Sequence, residues 1–405
     1  MQTKVKFLPL LVVYILFVVV ASSNTFWADE DRYVWFANNL SHGYYSPGTD
    51  INLWNGPGYP LVLVPFVLLS LPWLSAKILN AFLLFFAIIY FYSTLRLYIR
   101  ERSAFYVSYL FGIYPPLFKY MQYLLTESLA IFLVCGFVFH FCRLNKSEKV
   151  SRGELFIAGL YLGYLALTKI LFGYVILTGL IVFGLLLLWR RTAHLKRTVW
   201  VYSLALLCCL PYLFYTYSLT GKVFYWGNSG GDSLYWMSTP YSGELGSWFT
   251  AADFRVNPQL LENHGQFLRE VDVLPSIQRD EALMKRAVEN IKNNPGAFLR
   301  NVAANIGRLL FSYPYGYTPQ KLSTYFYIAP NMFIVVFFII AVYLAYVRRK
   351  LVPWEVHALL FFGLVSFAGT APLSGVGPRH FAILVPIFLL WTAVVLARTL
   401  KVEMR

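Results

Sequence analysis

The chain has 405 residues, of which 58% are hydrophobic and 13% charged, about half the charged share of a soluble domain, a balance that excludes an ordinary water-soluble protein. Its net charge of +15 does not read as a nucleic-acid surface, because the basic residues stand between apolar runs rather than along one solvated face. The four cysteines (Cys135, Cys142, Cys208, Cys209) fall inside those runs and imply no disulfide framework.

In chain order, residues 7–22 follow Lys4 and Lys6 and read as an uncleaved first span, although the small residues around Ala21 could also suit a signal peptidase. Further spans read at 74–97, 103–118, 124–143, 153–170, 172–190, 198–219, 325–347, 353–371 and 380–398, each suited to a hydrocarbon core about 30 Å thick. The apolar run from Tyr59 to Leu71, about 13 residues, is short for a crossing and reads as a re-entrant or interfacial helix. The expected fold is an all-α integral membrane protein of about ten transmembrane helices, with juxtamembrane helices in the first exported loop and a partly helical exported segment before the eighth span. Residues 1–219 form a transmembrane module whose first exported loop, 23–73, holds the candidate chemistry; 220–324 is an exported loop, and 325–405 supplies the C-terminal spans.

Charge orients this arrangement, since cytoplasmic loops retain Lys and Arg. Basic clusters at Lys4 and Lys6, at 96–102, 143–152, 190–197 and 348–350, and at the C-terminus all fall on one side. On the other side, outside 220–324, remain Arg32, Lys77, Lys119, Lys169 and Arg379. Both termini are therefore expected in the cytoplasm of a multi-pass protein, most simply of a bacterial inner membrane. Counting Tyr59 to Leu71 as a crossing would invert every later loop.

Within 220–324, a Gly- and Tyr-rich stretch from Tyr225 to Tyr241 reads as loop, and helical patterns follow at Asp280 to Asn293 and Pro295 to Leu310. In the latter, Pro295 suits the first helical position. Phe298, Val302, Ile306, Leu309 and Leu310 recur opposite Arg300, Asn301, Asn305 and Arg308. Such a helix could lie in the membrane interface or pack on a lid of its own.

Ionisable groups at membrane depth are costly and by default mark function. Asp29, Glu30, Asp31 and Arg32 follow the first span, Glu127 opens the fourth, Lys169 closes the fifth, and Arg379 with His380 opens the last, all on the exported side. Carboxylates facing Lys, Arg and His suit a reaction in which a base deprotonates a hydroxyl or amine while cations stabilise a departing phosphate. Each group also has a plainer role open to it. The three acids could cap a helix, Glu127 could be an ordinary N-terminal charge, Lys169 and Arg379 could snorkel, and His380 could be an interfacial hydrogen-bonding residue. Zinc-type ligand sets, Gly-rich phosphate loops and nucleophile elbows are missing from the sequence. No cofactor is called for, although isolated acids could recruit a divalent cation.

These features, in order, resemble the polytopic C-type (GT-C) glycosyltransferases, in the branch of protein O-mannosyltransferases and lipid A aminoarabinose transferases. Trp27-Ala-Asp-Glu-Asp-Arg-Tyr33 resembles that branch's Asp-Glu-x-x-Tyr element, and Gly56-Pro-Gly-Tyr-Pro60 its Pro-x-Tyr-Pro element with a short juxtamembrane helix. Tyr114-Pro-Pro116, Leu125-Thr-Glu-Ser128, Ala166-Leu-Thr-Lys169 and Pro378-Arg-His-Phe381 with Pro386 are similar to later family elements. Two departures stand out. Asn55, Gly56 and Pro57 replace the Glu-Lys-Pro of the aminoarabinose branch, so Lys169, Arg379 or Lys119 must supply the missing charge, and His380 replaces a Tyr. The chain is also short beside larger members, which leaves the acceptor type open.

The resemblance implies an inverting transfer of one sugar, hexose or pentose, from a polyprenyl-phosphate donor to a glycolipid, glycan or protein acceptor at the extracytoplasmic face of the bilayer. It casts Asp29 as general base with Glu30 or Arg32 orienting it, and Lys169, Arg379, Lys119 and His380 at the donor phosphate. Arg32, Tyr33, Asn55, Tyr59 and Glu127 fall to substrate binding, and no residue to a metal. A polysaccharide polymerase or ligase, or a transporter of lipid-linked glycans, would share the polytopic plan. The first would place its chemistry in the basic residues of 220–324, and the second near the bilayer midplane with internal repeats.

Overall fold

The computed structural model describes residues 2–23, 25–348 and 351–400, and among them every regular element is a helix. In chain order these are α1 (Gln2–Val5), α2 (Leu8–Ala21), α3 (Glu30–Ser41), α4 (Gly58–Leu68), α5 (Trp73–Leu95), α6 (Glu101–Gly112), α7 (Pro115–Met121), α8 (Glu127–Lys146), α9 (Arg152–Thr168), α10 (Leu171–Arg190) and α11 (Ala193–Thr220). A long segment follows with α12 (Gly230–Met237), α13 (Ala251–Val256), α14 (Pro258–Asp272), α15 (Ser276–Asn293) and α16 (Pro295–Phe311). The chain then closes with α17 (Tyr325–Val347), α18 (Trp354–Thr370) and α19 (Gly377–Thr399).

Six of these, α5, α8, α10, α11, α17 and α19, are long and apolar enough to cross a membrane. With the shorter apolar helices α2 and α18 beside them, the chain is a multi-pass integral membrane protein. The run at Tyr59 to Leu71 yields only the 11 residues of α4, too few to span a bilayer core.

One expected span is corrected. Residues 103–118 do not form a continuous helix: α6 stops at Gly112 and α7 restarts at Pro115, with Tyr114 extended at φ −62°, ψ 118°. Pro115 biases the residue before it away from helical geometry, and two consecutive prolines remove two backbone donors.

The central helix is α8, which packs against α5, α9 and α19. Its buried face carries Val134, Phe137 and Phe141, and where α9 approaches, Gly136 lies directly on the Tyr161 ring. One continuous apolar core joins α2 through α11 to the C-terminal helices, so Phe362, Ile387 and Trp391 belong to it as fully as Phe91 or Leu129 does. The long segment holds a second, smaller core of Tyr235, Trp236, Phe249, Leu260, Val271, Leu283 and Ala287.

The basic loops meet at one end of the bundle. Arg197 donates to the carbonyls of Leu144, Ser147 and Glu148, Lys146 to that of Leu97, and Arg398 to that of Leu351. Tyr98 donates to the buried Glu355, and Glu154 at the start of α9 binds His140 and Arg143. Glu127, Lys169 and Arg379 stand at the opposite ends of α8, α9 and α19 from these loops.

In α16 much of the face expected to be polar turns inward: Asn301, Asn305 and Arg308 are buried, as is Leu309 of the apolar face, while Arg300 is exposed. The cause is a need for donors. Asn301 satisfies the carbonyls of Met237 and Thr239, Asn305 those of Ala371 and Leu373, and Arg308 those of Leu245, Gly246 and Pro314. Irregular backbone packed against a bundle requires such partners.

Candidate functional site

The site begins at the turn between α2 and α3. Ala28 adopts the left-handed region at φ 54°, a conformation costing an L-residue about 1–2 kcal/mol, and it swings Asp29 out of line with the helix that follows. Glu30 holds this turn: its Oε2 accepts the Trp27 N–H at 2.7 Å, while its own N–H returns to the Trp27 carbonyl. The carboxylate reaches back to an N–H three residues earlier, as the acidic member of a capping box does.

Asp29 and Glu30 are neighbours with opposite surroundings. Glu30 is fully enclosed; its Oε1 accepts the Leu124 N–H at 2.8 Å and lies 3.4 Å from Lys77 Nζ, itself buried and bonded to the Ser23 carbonyl. Asp29 retains 21% of its side-chain exposure and is held by two arginines. Arg32 Nη2 donates to Oδ1 at 2.5 Å and Arg379 Nη1 to Oδ2 at 3.0 Å. Burial alone would raise the pKa of Asp29, but the charges of Arg379, Arg32 and Lys169 outweigh it and hold the carboxyl below its ordinary value.

Three helix ends complete the group. Arg379 opens α19, and its Nε lies 3.8 Å from Oε1 of Glu127 at the start of α8. The same oxygen accepts from Lys169 Nζ at 3.0 Å. Lys169 ends α9 in extended geometry, so its side chain leaves the helix toward α8. Glu127 is 1% exposed, and its second oxygen has no hydrogen-bond partner. His380 lies beside the Lys169 and Arg379 charges. Three cations and two carboxylates share this cluster, which leaves one positive charge to meet an anion.

The first loop fastens the other flank. Arg32 Nε donates to Asn55 Oδ1 at 2.7 Å, and Asn55 Nδ2 donates to the Tyr33 hydroxyl at 3.1 Å. Tyr45 donates to the Asn55 carbonyl at 2.6 Å. Gly56 and Gly58 lie so close to α9 that a Cβ would stand 2.0 Å from the Leu167 carbonyl oxygen and 2.5 Å from Thr168 Oγ1 respectively. Only glycine permits that approach.

Asp29, Arg32, Asn55, Tyr33, Glu127, Lys169, Arg379 and His380, singled out from the sequence, therefore form one contiguous group. Tyr59 lies beneath it, 1% exposed and edge-on to Tyr33 at 5.3 Å. Lys119 stands apart: its ammonium sits over the rings of Tyr120 and Tyr327 at 5.7 and 5.2 Å and joins no ion pair among the described residues. Among the described residues no three His, Cys, Asp or Glu side chains gather as a metal-ligand set.

Sequence reasoning missed Lys77, the partner of Glu30, and Trp54, whose ring carries the Arg32 guanidinium at 5.2 Å. An aromatic one residue before a site asparagine was the available signal for Trp54.

Over 96% of its length the chain superposes on the oligosaccharyltransferase of Archaeoglobus fulgidus. The TM-score is 0.52 at 16% identity for the form tethered to an acceptor peptide, and 0.51 at 14% for AglB in complex with an inhibitory peptide and a dolichol-phosphate. The fold is that of the C-type glycosyltransferases. ArnT from Cupriavidus metallidurans bound to undecaprenyl phosphate aligns more loosely, with a TM-score of 0.44 at 14% identity, over 96% of this chain and 77% of its own. By sequence, no family model and no curated protein matches the chain. The chain spans about half the length of the oligosaccharyltransferase chains it matches (50% and 49%), so the C-type fold is shared over this part alone. Within this fold, the acid–cation cluster occupies the bundle end away from the basic loops.

Proposed function

We propose that the protein is an inverting glycosyltransferase of about ten spans, with its basic loops cytoplasmic and its acid–cation cluster at the extracytoplasmic surface. The donor is a sugar linked to a polyprenyl phosphate, and the acceptor is a glycolipid, glycan or protein hydroxyl or amine. The observation that carries this reading is the direct Asp29–Arg379 pair, with Lys169 reached through Glu127. It brings a carboxylate held in its basic form beside the cations a leaving phosphate needs.

In the reaction, Asp29 takes the proton of the acceptor hydroxyl or amine. The freed lone pair bonds to the anomeric carbon as the bond from that carbon to the phosphate oxygen breaks, with inversion. The phosphate leaves with the bonding electrons, and Arg379 and Lys169 stabilise the charge that develops. Arg32 and Asn55 orient Asp29, while Glu30 keeps the turn beneath it closed. His380 borders the phosphate position, and Lys119, over its tyrosine pair, is suited to a phosphate oxygen farther out. A solved protein of this fold in complex with a dolichol-phosphate is compatible with a lipid-phosphate donor here. The polymerase or ligase reading is disfavoured by two basic residues of the long segment. Arg279 is spent on Asp232 and Asp272, and Arg308 on backbone carbonyls.

The test is purified protein with synthetic polyprenyl-phosphate mannose or arabinose and a cell-envelope extract. Release of polyprenyl phosphate is expected, with loss of release in Asp29→Asn at unchanged expression. Full release in that variant removes Asp29 from the chemistry.

A further inference from the structure

One aromatic contact links the long segment to both supports of Asp29. The Trp248 ring meets Trp54 edge-on, centroids 6.0 Å apart at 85°, and Trp54 carries the Arg32 guanidinium 5.2 Å above its ring. Trp248 also covers Gly375, which lies in the left-handed region at φ 78° and where a Cβ would fall 3.1 Å from Trp248 Cε3. Gly375 belongs to the short turn that leads into Arg379 at the start of α19.

That turn is clamped by the long segment. The Ser374 N–H donates to the Ser233 carbonyl at 3.2 Å, and its hydroxyl to the Gly246 carbonyl at 2.8 Å. Asn305 of α16 donates to the carbonyls of Ala371 and Leu373 at 2.8 and 2.9 Å. A single indole thus braces Arg32 on one flank, through Trp54, and Arg379 on the other, through the Gly375 turn.

We propose that Trp248 is a positioning residue for the general base: seated between Trp54 and Gly375, it fixes both guanidiniums on the Asp29 carboxylate and so makes the long segment part of the active centre. The inference rests on the reading of Asp29 as that base. An indole suits the task because a rigid ring with two rotatable bonds loses little freedom when it is packed. The charged and titratable groups around Asp29 are Arg32 and Tyr33 of α3, Arg379 of α19 and Lys169 at the end of α9, with Glu127 of α8 and His380 of α19 beside the last two.

The experiment compares full-length protein with Trp248→Ala, Trp248→Phe and Asp29→Asn, using synthetic polyprenyl-phosphate mannose and arabinose as donors and following kcat and kcat/KM against pH. Loosening two guanidiniums withdraws positive charge from Asp29, raises its pKa and moves the acid limb of kcat/KM to higher pH. Trp248→Ala is expected to show that movement with kcat lowered about tenfold or more and donor KM little changed, and Trp248→Phe to leave the limb in place. Trp54→Leu, which cuts only the Arg32 link, is expected to move the limb less, and it carries the test where Trp248→Ala is not recovered as monodisperse protein. An acid limb in Trp248→Ala superimposable on that of the unsubstituted protein overturns the proposal, whatever the loss of rate. Activity in Asp29→Asn overturns the base assignment itself, whereas an inactive Asp29→Asn with an unmoved limb in Trp248→Ala overturns only the role of Trp248.

Discussion

Arg379 and Asp29, 350 positions apart in sequence, are joined by a 3.0 Å hydrogen bond from Nη1 to Oδ2. The pair closes the bundle end, because Asp29 stands on the arm after α2 and Arg379 opens α19. It also keeps Asp29 charged: a carboxylate beside two guanidiniums stays ionised as pH falls below the usual carboxylate range.

Arg379→Gln removes one of those cations. The expected result is a loss of about 10²- to 10³-fold in kcat, the scale of deleting one donor to a developing negative charge. The acid limb of kcat/KM moves to higher pH, because the pKa of Asp29 rises toward its ordinary value. Steady-state rates across pH with polyprenyl-phosphate sugars check both; an unmoved limb argues that Asp29 does not titrate in catalysis.

The adjacent acids should separate cleanly. Glu30→Gln puts an amide donor against one of the two backbone N–H groups that the carboxylate accepts and leaves Lys77 without its buried partner, a class of change costing about 3–5 kcal/mol. Its thermal transition in detergent is expected to fall by many degrees. Asp29→Asn, at a partly exposed position, should melt close to the unsubstituted protein and yet be inactive. Equal melting of the two variants would remove the structural role given to Glu30.

Lys169→Met takes from the enclosed Glu127 carboxylate its hydrogen-bonded cation and leaves it only Arg379 Nε at 3.8 Å, so the loss of stability approaches about 3–5 kcal/mol, that of a broken buried pair. Lys169→Met combined with Glu127→Gln removes the buried carboxylate charge as well. Much of the stability should return in a denaturation series while transfer stays impaired, because the phosphate has lost one of its two cations. A double variant with restored transfer would show that Lys169 serves packing alone.

Asn305→Ala leaves the carbonyls of Ala371 and Leu373 without their donor, a loss of about 1–3 kcal/mol for unsatisfied buried groups. Hydrogen exchange should quicken in residues 371–377 while α5 and α8 stay protected. Unchanged exchange there would mean that Ser374 alone clamps the turn.

Much of this plan was legible in the sequence, for reasons particular residues make clear. Hydropathy marked the long helices because a bilayer demands them, and the shortness of the Tyr59 run marked α4. Charges at span ends identified Asp29, Glu127, Lys169 and Arg379, since ionised groups at that depth need partners. What failed depended on contacts distant in sequence. The break at Tyr114 was hidden in an apolar run whose two prolines could have opened a helix as well as ended one. The inward turn of Asn305 and Arg308 depended on carbonyls of loops whose path no periodicity reveals. Trp248 looked like one more aromatic among many, and only its seat between Trp54 and Gly375 distinguishes it.

The seam at Gly56 and Gly58 sets the gauge of the molecule. Two missing side chains fix how near the arm that bears Asn55 comes to the corner that bears Lys169, and with it the spacing of the two flanks of the cluster. Bulk introduced at either glycine would be transmitted as a displacement of the whole arm, so a change in the size of molecule accepted could arise at positions that touch no substrate.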